Sequence, residues 1–153
     1  MGLILLDSTV IVGFLDADDA LHKATVARFR EIVPRHPLVV SAISYAEVMT
    51  GVSLGHHPTE AVDGFFQALV REILPTDIPV AARAGALRGR HPSLRMPDAL
   101  ILATGDLNPD IEAVLCGDRD WTKVKGLDCR VELLKPSPPK QPRATRPGRS
   151  QRP

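Results

Sequence analysis

LILLDSTVIVGFLD, residues 3–16, opens the chain with a short apolar run, a lone acid and a second apolar run. Leu3–Leu6 shows no alternation of polar and apolar residues, the pattern of a strand covered on both faces. Asp7 breaks the run, and a helix is expected from about Ser8. The stretch superficially resembles a secretion signal, but it lacks a basic start and Asp7 interrupts it. A doubly buried strand leading straight into a helix is how a parallel α/β sheet begins.

The rest of the chain repeats the alternation. Ala20–Val33 places Leu21, Thr25, Phe29 and Ile32 on one helical face, with Lys23 and Arg30 opposite, and Pro34 and Pro37 stop it. Leu38–Ser41 is a second strand. Ser44–Leu54 and Thr59–Val70 are expected helices, the latter apolar along Val62, Phe65, Phe66 and Leu69. Glu72–Leu74 is a third strand, Pro79–Leu87 a helix, and Arg88, Arg90 and His91 a basic loop. Pro97–Thr104 is helical, since proline at a first helical position loses no needed hydrogen bond. Ala113–Cys116 and Val131–Leu134 close the series as strands. The order predicts an α/β fold around a mainly parallel sheet.

A chain of 153 residues suits one domain. Aromatics are 4%, so the core must be built from Leu, Val, Ile and Ala. No apolar run approaches the ~18–20 residues that span a bilayer. Cys116 and Cys129 have no metal-ligand spacing and read as reduced thiols, which points to the cytoplasm. The net charge of +1 hides an asymmetry: Lys140, Arg143, Arg146, Arg149 and Arg152 face no acid after Pro136. Without those five, 14 bases meet 18 acids, so residues 1–135 carry about −4. The last 18 residues hold six prolines and almost nothing to bury. The expected division is therefore a folded domain over 1–135 and a disordered basic tail over 136–153, inert or auxiliary in function. An acidic body does not grip nucleic acid by bulk charge, so phosphates would need a bound divalent metal to draw them in.

Four acids stand where elements begin or end. Asp7 follows the first strand, Glu47 lies early in a helix that follows a strand, Asp98 comes directly after Pro97, and Asp118 follows Ala113–Cys116. The carboxyl ends of parallel strands share one edge, where ligands bind. Carboxylates converging there repel one another and raise each other's pKa values. A hard cation, Mg²⁺ or Mn²⁺, resolves that repulsion.

Each acid also has a plain structural use. Asp7 can cap the helix starting at Ser8, a role worth ~1 kcal/mol. Ser44 and Glu47 fit the capping-box spacing, Asp98 suits a helix dipole, and Asp118 suits a polar turn with Asp120. Four such uses coinciding on one sheet edge is what points to a site. Asp16, Asp18 and Asp19 read as solvated loop residues. Asp120 stands close enough to assist Asp118 or replace it, and Ser8 is suited either to starting the helix or to orienting a ligand. None of the five histidines has a partnered nucleophile or a zinc-like spacing.

The segments LLDSTVIVGFLDADDALH, SAISYAEVMTGV, MPDALILATG and VLCGDRDW resemble the successive motifs of PIN-domain nucleases, above all the VapC-type toxins of bacterial toxin–antitoxin pairs. The resemblance spans about residues 1–135. It implies a three-layer α/β/α domain, Asp7, Glu47, Asp98 and Asp118 as metal-binding acids, and Mg²⁺- or Mn²⁺-dependent cleavage of RNA. It also implies a homodimer and a cognate antitoxin. Two positions depart from the pattern: Cys116 replaces the usual hydroxyl residue two positions before the fourth acid, and Trp121 replaces a phenylalanine.

The chemistry agrees, because a divalent ion generates hydroxide and neutralises charge on a resistant phosphodiester. Rival readings fit less well. An aspartyl-phosphate enzyme or a receiver domain wants a second acid close to the first and a later lysine, but Asp7 is followed by Ser8 and Thr9. A non-catalytic RNA- or protein-binding module would leave the acids as caps. No base-reading motif separates RNA from DNA as the substrate.

Overall fold

The computed structural model describes residues 2–138, and among these five parallel strands form one sheet flanked by six helices. The strands are β1 (Leu3–Leu6), β2 (Leu38–Ser41), β3 (Val70–Leu74), β4 (Ile111–Cys116) and β5 (Arg130–Leu133). The helices are α1 (Ser8–Leu15), α2 (His22–Ile32), α3 (Ala42–Ser53), α4 (Thr59–Leu69), α5 (Ile78–Arg90) and α6 (Met96–Leu107). A 3-10 turn, Arg119–Lys123, follows β4.

The strand order is β3-β2-β1-β4-β5, with β1 at the centre. Leu6 pairs with Val40 on one side and Leu115 on the other, so β1, β2 and β4 end level. Alternate residues of β1 enter opposite cores, as strand pleating requires. Leu5, Val39 and Val114 pack against Ala84, Leu87, Leu102 and Trp121. Ile4, Leu6, Val40 and Leu115 pack against Val10, Phe29, Val48 and Phe65. Helices α5 and α6 thus cover one face and α1, α2 and α4 the other, giving the three α/β/α layers. Stacked and tilted contacts of Phe14 with Phe29 (5.2 Å) and Phe65 (5.4 Å) tie α1, α2 and α4 together.

Several boundaries differ from the sequence reading. Arg88 and Arg90 lie in the last turn of α5, where the helix dipole favours bases, and not in a loop. The third strand begins at Val70, directly after α4, and α6 runs from Met96 to Leu107, with Pro97 inside its first turn. Helix α3 starts at Ala42 because Ser41 caps it, its Oγ accepting the Ser44 N–H at 3.0 Å. The expected tail lies outside the described residues from 139 onward. Of its first three residues, Ser137 donates its N–H to the Ala20 carbonyl at 3.0 Å. Among the described residues no helix is long and apolar enough to cross a membrane.

Candidate active site

The sheet order reverses direction between β1 and β4, and a crevice opens at the carboxyl ends of such neighbours. Asp7 leaves β1 there and Asp118 leaves β4 one residue later than Gly117. Helices α3 and α6 bring Glu47 and Asp98 to the same edge.

Asp7 is 3% exposed. Its N–H still joins the ladder, donating to the Leu115 carbonyl at 3.0 Å. Its side chain does not cap α1; it accepts from the Thr9 hydroxyl at 2.6 Å. Burial pushes this carboxyl above the usual aspartate range, Thr9 opposes the rise, and the charge of Asp98 adds to it. Glu47 sits on the outer side of the group. Its carboxyl is also raised, first by lost hydration and then by the charge of Asp7, with Ser8 opposing. The capping-box role is absent, because the cap of α3 is Ser41 and Ser44 is already inside the helix.

Asp98 is 6% exposed, in the first turn of α6. Both its oxygens accept from Arg95, at 2.9 Å from Nε and 3.2 Å from Nη2. That guanidinium also lies in the field of Glu47 and Asp118. Asp118 performs the turn role: its Oδ1 accepts the Asp120 N–H at 2.8 Å. Asp120 itself pairs with Lys123 at 2.6 Å, which holds its carboxyl below the usual range. The buried Cys116 thiol, pushed up to about 12 by desolvation, lies 3.5 Å from the Asp118 carbonyl oxygen and leaves the carboxylate to the Asp120 N–H.

Gly117 is required by close approach. A Cβ there would stand 2.5 Å from Leu21 Cδ1 and 3.2 Å from Thr9 Oγ1. Its bare backbone lets the Gly117 N–H donate to Thr9 Oγ1 at 3.1 Å. Thr9 therefore links the strand ends that carry Asp7 and Asp118.

A cleft of about 420 Å³ opens beside the group, walled by Asp98, Asp118 and Asp120 and by Arg95, His91 and Lys123. Asp7 and Glu47 are not in its wall. The four acids are thus electrical neighbours drawn from four elements, with Asp118 joined to the rest through Arg95. Among the described residues, no three His, Cys, Asp or Glu side chains stand as a formed metal site. The donor set is all carboxylate oxygen, which suits a hard divalent cation, and among the described residues the buried Asp7 has no base as partner.

Arg95 and Thr9 escaped the sequence reading as site residues. Their signals were spacing alone: Arg95 lies three positions before Asp98 and Thr9 two after Asp7. The histidines are structural where they bond. His22 Nδ1–H donates to the Gly13 carbonyl at 2.8 Å and His36 Nδ1–H to the Gly2 carbonyl at 2.9 Å.

The PIN domain family model matches residues 4–127. No curated protein sequence matches the chain. Among solved structures, the VapBC2 complex of Rickettsia felis bound to promoter DNA holds a chain similar at 15% identity and TM-score 0.68, covering 86% of this chain and 98% of that one. A chain of FitAcB from Neisseria gonorrhoeae is similar at 24% identity and TM-score 0.64, covering 84% and 96%. VapC20 of Mycobacterium tuberculosis, a Sarcin-Ricin loop cleaving toxin, is similar at 19% identity and TM-score 0.65, covering 83% and 98%. At these identities the likeness is one of fold.

Proposed function

The chain belongs to the PIN domain family, and on that premise we propose that it is a metal-dependent endoribonuclease, the toxin of a toxin–antitoxin pair. The observation that carries the reading is Asp7: a buried carboxyl, beside Asp98 and Glu47, with no base among the described residues to offset it. Such a group is costly to leave ionised unless a cation joins it. In this reading Asp7, Asp98 and Asp118 hold Mg²⁺ or Mn²⁺, and Glu47 completes the set. The bound ion supplies Lewis-acid activation of water and neutralises charge on the phosphate.

The chain's own residues do the rest. Thr9 orients Asp7 and ties it to the Asp118 strand end. The Asp120 N–H holds the Asp118 carboxylate. Arg95 and Lys123 bring positive charge to the cleft, where an RNA backbone needs it. Similarity of fold to chains of VapBC and FitAcB supports an antitoxin partner, and the homodimer rests on the resemblance of the sequence motifs alone. The proposed division is a nuclease domain over residues 1–135 and an appended tail over 136–153, working in the cytoplasm.

Purified, antitoxin-free protein incubated with RNA and with matched single-stranded DNA tests this. Cleavage of RNA that needs Mg²⁺ or Mn²⁺ and stops with EDTA is the expected result. The rival reading, a non-catalytic binding module, draws on the cap that Asp118 does make. RNA retained uncut under every metal would favour it, and cutting of DNA alone would change the substrate.

A further inference from the structure

Arg95 stands where the site calls for a cation. It is the residue just before α6, and it engages both oxygens of Asp98. The Asp98 side chain is 8% exposed and fixed in the wall, while that of Arg95 is 71% exposed and reaches in from solvent. The same guanidinium is drawn by Glu47 and Asp118. An ion that uses Asp98 therefore competes with Arg95 for the same two oxygens. With its guanidinium largely in solvent, Arg95 is only modestly held and exchanges readily.

We propose that Arg95 is a built-in counter-ion of the acidic site: it neutralises Asp98 in the metal-free protein, a divalent cation displaces it, and the freed guanidinium then holds an RNA phosphate in the adjoining cleft. The inference rests on the nuclease reading above and names how that site receives its substrate. Of the bases lining the cleft, Lys123 is already paired with Asp120 at 2.6 Å. His91 is occupied too, its Nε2 accepting the Lys125 N–H at 3.4 Å. Arg95 is the base that metal entry releases. Its planar fork matches a phosphate as well as a carboxylate. Metal and RNA binding are then coupled, each favouring the conformation the other needs.

The test uses the full chain and its Arg95→Gln variant. In calorimetric titration with Mn²⁺ alone, the variant should bind about two- to fivefold more tightly, the size of an exposed ion pair removed. At saturating Mn²⁺ it should bind single-stranded RNA more weakly, with a log–log salt slope smaller by about 0.7. Arg95→Lys should recover part of that RNA affinity. In the wild type, the Arg95 Nε–H resonance should move when Mg²⁺ is added. Equal or weaker Mn²⁺ binding by a folded Arg95→Gln protein would overturn the proposal, as would an unmoved Nε–H resonance at saturating Mg²⁺. Failure of the wild type to bind Mn²⁺ at all would instead overturn the nuclease reading, and this inference with it.

Discussion

The Thr9 hydroxyl donates to Asp7 Oδ2 at 2.6 Å, and Thr9 Oγ1 itself accepts the Gly117 N–H at 3.1 Å. One small side chain thus fixes the rotamer of the buried acid and the spacing of the two central strand ends. Thr9→Val keeps the shape and removes both bonds. It should cost about 1 kcal/mol by chemical denaturation and slow RNA cleavage, whereas Thr9→Ser should retain both properties. Cleavage by the valine variant at the wild-type rate would show that Asp7 needs no such orientation.

Asp98→Asn preserves the size of the side chain and removes the charge. Loss of a group behind a metal ligand costs 10–100-fold, so loss of a ligand itself should lower the cleavage rate by more than about 100-fold. Circular dichroism and the unfolding midpoint should change little. The prediction fails if single-turnover cleavage persists.

The raised carboxyls of Asp7 and Glu47 set a pH dependence in metal-free protein. Between its ordinary and its raised pKa, each group binds more protons folded than unfolded, so stability falls as pH rises through that window. With EDTA present, the wild type should lose stability on going from acid carboxylate pH toward neutrality, and Asp7→Asn should lose less. Mg²⁺ should reverse the loss at neutral pH, by about 2.7 kcal/mol at a hundredfold excess over its Kd. A flat profile that ignores Mg²⁺ would contradict the assignment.

Behind the site, Arg83 Nε pairs with the buried Asp106 at 2.5 Å, and Arg83 Nη2 donates to the Gly126 carbonyl at 2.7 Å. Asp106 also accepts the Asp128 N–H at 2.6 Å. These bonds pin the loop between the 3-10 turn and β5. Arg83→Met leaves the carboxylate buried and unpaired, and should cost about 2–4 kcal/mol, below the full penalty because Arg83 is partly exposed. Mn²⁺ affinity per folded molecule should stay within about twofold, since the pair touches none of the four acids.

Removal of residues 139–153 should leave the cleavage rate and low-salt RNA affinity within about twofold of the full chain. A clear loss of affinity that vanishes at high salt would give the basic tail a role in holding RNA.

Much of this architecture was legible in the sequence. The doubly apolar runs Leu3–Leu6 and Leu38–Ser41 match β1 and β2 because full burial erases the polar alternation. Asp7 and Asp118 were legible because a charge ending a buried strand must sit at the sheet edge. Boundaries without punctuation were not. Leu69 and Val70 pass from helix to strand with neither Gly nor Pro between them. Arg88, Gly89 and Arg90 look like a loop, yet they finish α5, where bases are favoured. Ser41 and Ser44 are the same residue type three positions apart, and the choice of cap fell to whichever stands at the strand end. The Arg95–Asp98 pair depends on where a long, exposed side chain rests, which residue spacing permits but does not specify.

Metal binding at the four acids is tested by a crystal structure of the protein grown with Mn²⁺, with data collected at the manganese edge. An anomalous peak in direct contact with oxygens of Asp7, Asp98 and Asp118 is the expected result. Saturating Mn²⁺ with no peak at that edge of the sheet, and Asp98 still held by Arg95, would contradict it.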